Sequence, residues 1–133
     1  VNRLVRLGMY LGTVFQVRDD ELGLFGSPAR TGKPAGSDIR EGKKTLLALE
    51  LLRRARGPER ARLASLFGKK DITTAELASV REAAVRLGAR DRLQAVAADL
   101  AAEAVRIIGS LDVARRWRDI LLAVCAESLR RAS

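Results

Sequence analysis

A chain of 133 residues is long enough for one domain with a real core, since a domain near this size buries roughly 68% of the surface its unfolded chain exposes. Ala and Leu dominate the 47% hydrophobic content and aromatics are only 4%; with no alternating Val/Ile/Thr segments, this excludes a sheet-built fold and makes the expected class all-α. The absence of histidine and the single cysteine exclude a Ser-His or Cys-His relay and an internal disulfide and argue against zinc, while a formal charge of +9 calls for an anionic partner: nucleic acid, a membrane surface or a phosphorylated small molecule.

The first helix is predicted from about Asn2 to Phe25, with Leu4, Leu7, Leu11 and Val14 on one stripe and Gly8, Gly12, Phe15, Asp19 and Gly23 on another. Both stripes are apolar or small, which predicts a central helix. Because the chain opens on Val1 already in helical phase, it is expected to begin in mid-domain. No signal-peptide pattern is present, and no segment approaches the roughly 18 uncharged apolar residues of a spanning helix. A soluble, cytoplasmic protein without stable membrane insertion is expected, in keeping with one unpaired cysteine.

Gly26 ends the first helix, and the Gly/Pro/Ser-rich loop from Ser27 to Ser37 has the composition of an ordered surface loop that brings backbone close to a ligand. Asp38 and Glu41 stand at capping-box spacing, which predicts a second helix from there through Leu46, Leu47, Leu49, Leu51 and Leu52 to about Ala55. Gly57-Pro58 breaks it, and a short helix is expected from Glu59 to Phe67, followed by a turn over Gly68-Lys69-Lys70-Asp71. Thr73 with Glu76 is a stronger capping box, opening a helix that ends at Gly88. The next helix spans about Asp91 to Ile108 and is closed by Gly109-Ser110. Asp112 starts the last one, which carries Val113, Trp117, Ile120, Leu121, Val124 and Leu129 toward a basic tail at Arg130-Arg131. Trp117 is read as core and Cys125, in an apolar run, as a buried structural thiol.

One stretch stands out chemically. Asp19-Asp20 lies at the end of the first helix, with Gln16 and Gly23 at offsets that share its face. Residues 30–56 then carry eight basic side chains (Arg30, Lys33, Arg40, Lys43, Lys44, Arg53, Arg54, Arg56) against three acids (Asp38, Glu41, Glu50), a net +5. Carboxylates facing lysines across a short gap share a third party. A phosphorylated ligand with a divalent metal satisfies both signs, because Mg²⁺ is held by one or two carboxylates plus substrate phosphates. Taken singly, these residues have plainer readings: a solvated acid pair, an N-cap at Asp38, a surface lysine at Lys43. The other Arg pairs, at 53–54, 115–116 and 130–131, read as solvated helix faces and lack interleaved aromatics for stacking bases.

The run Phe15-Gln16-Val17-Arg18-Asp19-Asp20-Glu21-Leu22-Gly23, followed by Thr31-Gly32-Lys33-Pro34-Ala35-Gly36-Ser37-Asp38-Ile39-Arg40-Glu41-Gly42-Lys43-Lys44-Thr45, closely resembles the second aspartate-rich region of trans-isoprenyl diphosphate synthases, the polyprenyl synthetase family of geranylgeranyl and farnesyl diphosphate synthases. The resemblance covers about thirty residues, with acid pair, TGKPAG-like turn and DxxxGK-like helix start in order. It implies the all-α isoprenoid (terpenoid) synthase helical bundle, here its C-terminal half, as one domain over residues 1–133 with the motif at 15–45 and C-terminal helices over 46–133.

It further implies a Mg²⁺-dependent prenyltransferase of isoprenoid biosynthesis, normally a homodimer, that condenses an allylic diphosphate head-to-tail with isopentenyl diphosphate. By resemblance Asp19 would ligate Mg²⁺, with Asp20 supporting the metal site and Asp38 holding metal-bound water. Lys33 and Lys43 would contact the allylic diphosphate, Gln16 the homoallylic substrate or its migrating proton, and Phe15 the cavity wall. Lys44 is an alternative to Lys43, because the doubled lysine leaves the register open. Asp19, Asp20, Lys33 and Lys43 are thus the implied catalytic set.

Two departures qualify the match. Gly23 stands where the usual motif has an acid, and the first aspartate-rich motif with its upstream basic residues is missing, so the chain alone is expected to be inactive. Two competing readings are a non-catalytic synthase-like subunit and a basic all-α nucleic-acid-binding domain. The latter has no recognisable reading-helix signature, and no nucleic-acid partner is expected.

Overall fold

The computed structural model describes residues 2–130, and every regular element among them is helical: α1 (Asn2–Phe25), α2 (Pro28–Thr31), α3 (Ser37–Arg40), α4 (Leu46–Arg54), α5 (Gly57–Leu66), α6 (Thr74–Arg86), α7 (Ala89–Ser110) and α8 (Arg115–Arg130). Arg131, assigned to the basic tail, lies outside the described residues. Among those described, no helix is long and apolar enough to cross a membrane. The chain divides into two compact units, one formed by Asp19–Leu93 and the other by Val1–Arg18 with Gln94–Ser133.

In the Asp19–Leu93 unit, local signals set most boundaries. Thr73 Oγ1 accepts from the Glu76 N–H at 3.1 Å while Glu76 Oε1 accepts from the Thr73 N–H at 2.9 Å, the reciprocal bonds of the capping box that the spacing predicts. Gly26 N–H bonds back to the Leu22 carbonyl at 2.8 Å and ends α1. The second predicted helix, however, is two. The N-cap of α3 is Gly36, which has no side chain to offer, and α3 lasts a single turn. Gly42 breaks the chain at φ 67, where a Cβ would come within 3.2 Å of the Gly68 Cα, and the Gly68 N–H donates to the Ile39 carbonyl at 2.7 Å. That backbone-to-backbone contact overrides the Asp38/Glu41 spacing. The next helix instead starts after Thr45, whose Oγ1 accepts from the Ala48 N–H at 3.0 Å.

The core of this unit joins Leu24 of α1, Ile39 of α3, Leu47 and Leu51 of α4, Leu63 and Leu66 of α5, and Leu77, Val80 and Ala83 of α6. Each fully buried leucine here contributes about 2 kcal/mol. This packing fixes the end of α1 against the loop and α4.

In the other unit, Leu7, Val14 and Val17 of α1, Ala97, Ala101, Ala104 and Ile108 of α7, and Cys125 of α8 are buried. The Cys125 Sγ–H faces the Ala101 carbonyl at 3.6 Å. Only one stripe of α1 is buried, since Gly8, Gly12 and Phe15 are exposed, so the central-helix expectation does not hold for these residues. Trp117 is not core either. It is 52% exposed, on a stripe with Val113, Ile120 and Val124, because α8 turns its Cys125 and Ser128 side inward instead, and the Arg116 guanidinium sits 5.0 Å from its ring centroid.

Candidate functional site

Successive helical residues project about 100° apart, so Asp19 and Asp20 cannot share one environment. Asp19 is exposed. Asp20 is 1% exposed, and its Oδ2 accepts from the N–H of Leu46, the first residue of α4, at 2.7 Å. That amide is one of the orphan donors at a helix N-terminus, where the macrodipole favours an anion. Glu21, also buried, accepts at Oε1 from Arg90 Nε at 2.8 Å, and the Arg90 guanidinium lies 4.0 Å from the Phe25 ring centroid. Three consecutive acids therefore have three settings: solvent, a helix N-terminus and an arginine.

Asp38 enters from α3 and is buried. Burial pushes its carboxyl above the usual carboxylate range; Lys43 and Lys33 pull it back, and Asp19 and Asp20 push it up further. Both acids of the pair and both lysines thus lie within electrostatic reach of one carboxyl group. The lysines are exposed but their backbone is held. The Lys33 N–H donates to Thr31 Oγ1 at 3.2 Å, and the Lys43 N–H donates to the Asp38 carbonyl at 3.0 Å. Lys44 is exposed beside Lys43.

Between the end of α1 and the loop lies a small recess whose lining includes Asp20 and Leu24 on one side and Asp38, Ile39 and Thr45 on the other. Gly23 of α1 lies against the Asp38 carboxylate: a Cβ built on it would lie 2.0 Å from Asp38 Oδ2. The polar side chains of the lining offer only oxygen, from the Asp20 and Asp38 carboxylates and the Thr45 hydroxyl, which suits a hard cation of the Mg²⁺ class. Among the described residues no three acidic or thiol groups are gathered closely enough to hold a metal alone. The residues fit a cation that completes its shell with ligand phosphates, as Mg²⁺ does. Phe15 and Gln16 are exposed residues of α1 that belong to the other unit.

Arg90, Glu21 and Thr45 were not singled out from the sequence. Thr45 was legible there, as an N-cap residue immediately before the Leu46 run. Arg90 carries no local signal, being 69 positions from its partner.

The model of the polyprenyl synthetase family matches residues 1–84. A geranylgeranyl diphosphate synthase of Saccharolobus solfataricus is 42% identical over 82 residues, covering 62% of this chain and 25% of the relative. Among solved structures, a geranylgeranyl pyrophosphate synthase from Corynebacterium glutamicum, complexed with isoprenyl diphosphate and magnesium, aligns with a TM-score of 0.89 and 34% identity over 98% of this chain and 37% of that one. A polyprenyl synthase from Caulobacter crescentus, complexed with calcium and isoprenyl diphosphate, aligns with a TM-score of 0.82 and 32% identity over 99% of this chain and 40% of that one. The matched portion is therefore a quarter to two fifths of each relative's length.

Proposed function

The chain belongs to the polyprenyl synthetase family, with its all-α isoprenoid-synthase fold, and on that premise we propose that it carries the diphosphate-holding wall of a prenyltransferase that joins an allylic diphosphate to isopentenyl diphosphate. The observation that carries the reading is the buried carboxyl of Asp38, influenced at once by Asp19, Asp20, Lys33 and Lys43. Two acids and two lysines around one buried acid is an arrangement whose opposite signs a Mg²⁺-bound diphosphate would satisfy together.

In this reading Mg²⁺, when bound, supplies the charge that makes diphosphate a competent leaving group. Asp19, exposed, offers its carboxylate as the ligand. Asp20 supports the site by fixing where α4 begins, and Asp38 orients water at the edge. Lys33 and Lys43, with Lys44 as the alternative, place ammonium groups against the phosphate oxygens as negative charge grows there. One preorganised donor of this kind is worth about 10²–10³ in rate. For Phe15 on the cavity wall and Gln16 toward the homoallylic substrate, the proposal rests on sequence resemblance alone. The chain has no second acid pair like Asp19-Asp20, so it is proposed to be inactive by itself and to act within a larger, homodimeric enzyme of the cytoplasm.

The test is calorimetric binding of inorganic pyrophosphate with and without Mg²⁺. Binding that requires Mg²⁺ and is abolished by both D19A and K33A is expected. Binding that ignores Mg²⁺, or that K33A weakens no more than loss of a remote charge such as Arg115, refutes the reading and returns the basic nucleic-acid binder.

A further inference from the structure

Helix α1 brings three consecutive acids, Asp19, Asp20 and Glu21, to the turn before its last and carries no basic residue in that last turn, although a helix C-terminus favours cations. The last turn matters to the acids. In an α-helix the carbonyls of residues 19–21 accept from the N–H groups of Gly23, Leu24 and Phe25, so fraying there frees the backbone that carries the pair, and Gly23 is a poor helix former inside it. The cations come from far along the chain. Arg90 Nε donates to Glu21 Oε1 at 2.8 Å, and the Arg90 guanidinium lies 4.0 Å from the Phe25 ring centroid. Glu21 and Phe25 are four residues apart, on one face, so a single side chain spans the final turn. Arg81 Nε donates at 2.6 Å to the Leu24 carbonyl, one of the last four of α1, which have no partner within the helix. Arg90 is not explained by its own helix: it stands in the first turn of α7, the end where the macrodipole disfavours a cation.

We propose that Arg90 and Arg81 are positioning residues: they clamp the last turn of α1 from α7 and α6, and so act on the site through Asp19 and Asp20. The Glu21 side chain is buried and that of Arg90 only partly exposed, so their pairing is screened less by salt than one on the surface. Arg90 lies beyond the residues 1–84 that match the family model, and that match gives it no role. The inference rests on the diphosphate-site reading, which gives the acid pair its ligand.

The experiment compares R90A, R90K and R81A with R86A, a control in α6 whose arginine pairs with Glu59 and Glu82. Amide hydrogen exchange is read first, without metal. Calorimetric affinity for inorganic pyrophosphate with Mg²⁺ follows, at a temperature where circular dichroism shows each variant folded, so that lost stability alone does not move it. In R90A and R81A the amides of residues 23–25 are expected to exchange faster while those of the buried Leu51 and Val80 keep their protection. Affinity is expected to fall about 10-fold, as it does when a support behind a metal ligand is lost. R90K, which keeps the charge but not the flat guanidinium over Phe25, should fall between the parent and R90A, and R86A should change neither readout. If R90A does not fold, R90K and R81A decide by the same readouts. Exchange at residues 23–25 that stays as in the parent or rises only together with that of Leu51 and Val80, or an affinity loss no larger than that of R86A, overturns the proposal. A parent chain that binds no pyrophosphate with Mg²⁺ overturns the diphosphate reading and the part given to the arginines in it, while exchange at residues 23–25 still decides the clamp.

Discussion

Replacing each of two adjacent acids should separate folding from binding. Asp20 is buried and receives the Leu46 N–H at 2.7 Å; a hydrogen bond to a charged acceptor is worth about 1.5–3 kcal/mol net. The helix-terminus interaction adds up to about 1 kcal/mol, part of which is the same energy counted twice, so D20A should cost about 2–3 kcal/mol. With unfolding entropy near 2.1 cal/mol/K per residue, a chain of this length loses roughly 3–4 °C of Tm per kcal/mol, which makes the expected drop about 7–10 °C. Asp19 is exposed, and D19A should stay within about 0.5 kcal/mol, or roughly 2 °C. Circular-dichroism melts give both numbers, and amide hydrogen exchange adds a local readout, because the Leu46 N–H should be protected in the parent and fast in D20A. Equal Tm losses for the two variants, or a Leu46 amide that exchanges freely in the parent chain, would refute the division of labour.

Two further outcomes follow from the titrating groups. Hydrogen bonds from Arg53 and then Arg54 hold the Glu50 carboxyl down at about 2 from its ordinary 4.5, so its stabilisation is complete above pH 4.5 and disappears as pH falls toward 2. Because Arg53 is 65% exposed the effect should be about 1 kcal/mol after screening, and E50Q should flatten that part of an acid-unfolding curve; an unchanged curve refutes it. Burial pushes the Cys125 thiol up, so iodoacetamide should label it only at the rate of unfolding, and labelling of the native protein as fast as a free thiol contradicts the packing against Ala101.

What the amino-acid order determined alone is what near neighbours determine. The Thr73/Glu76 capping box, the Gly26 stop and the helical class follow from bonds three or four residues long, whose partners are written beside one another. The stretch from Phe15 to Thr45 was legible as a polyprenyl synthetase family motif for a related reason: its residue types and spacing are specific enough to be read without coordinates. Tertiary structure decided what depends on distant segments. It split the predicted helix at Gly42 because Gly68 packs there, left Trp117 in solvent, gave Glu21 to Arg90, and sent Asp20 to an amide 26 positions away while Asp19 stayed outside. Above all it placed the Asp38 carboxylate in the space beside Gly23. A glycine in the sequence records only that a side chain is missing, and what occupies the space is set by how the loop packs against the helix.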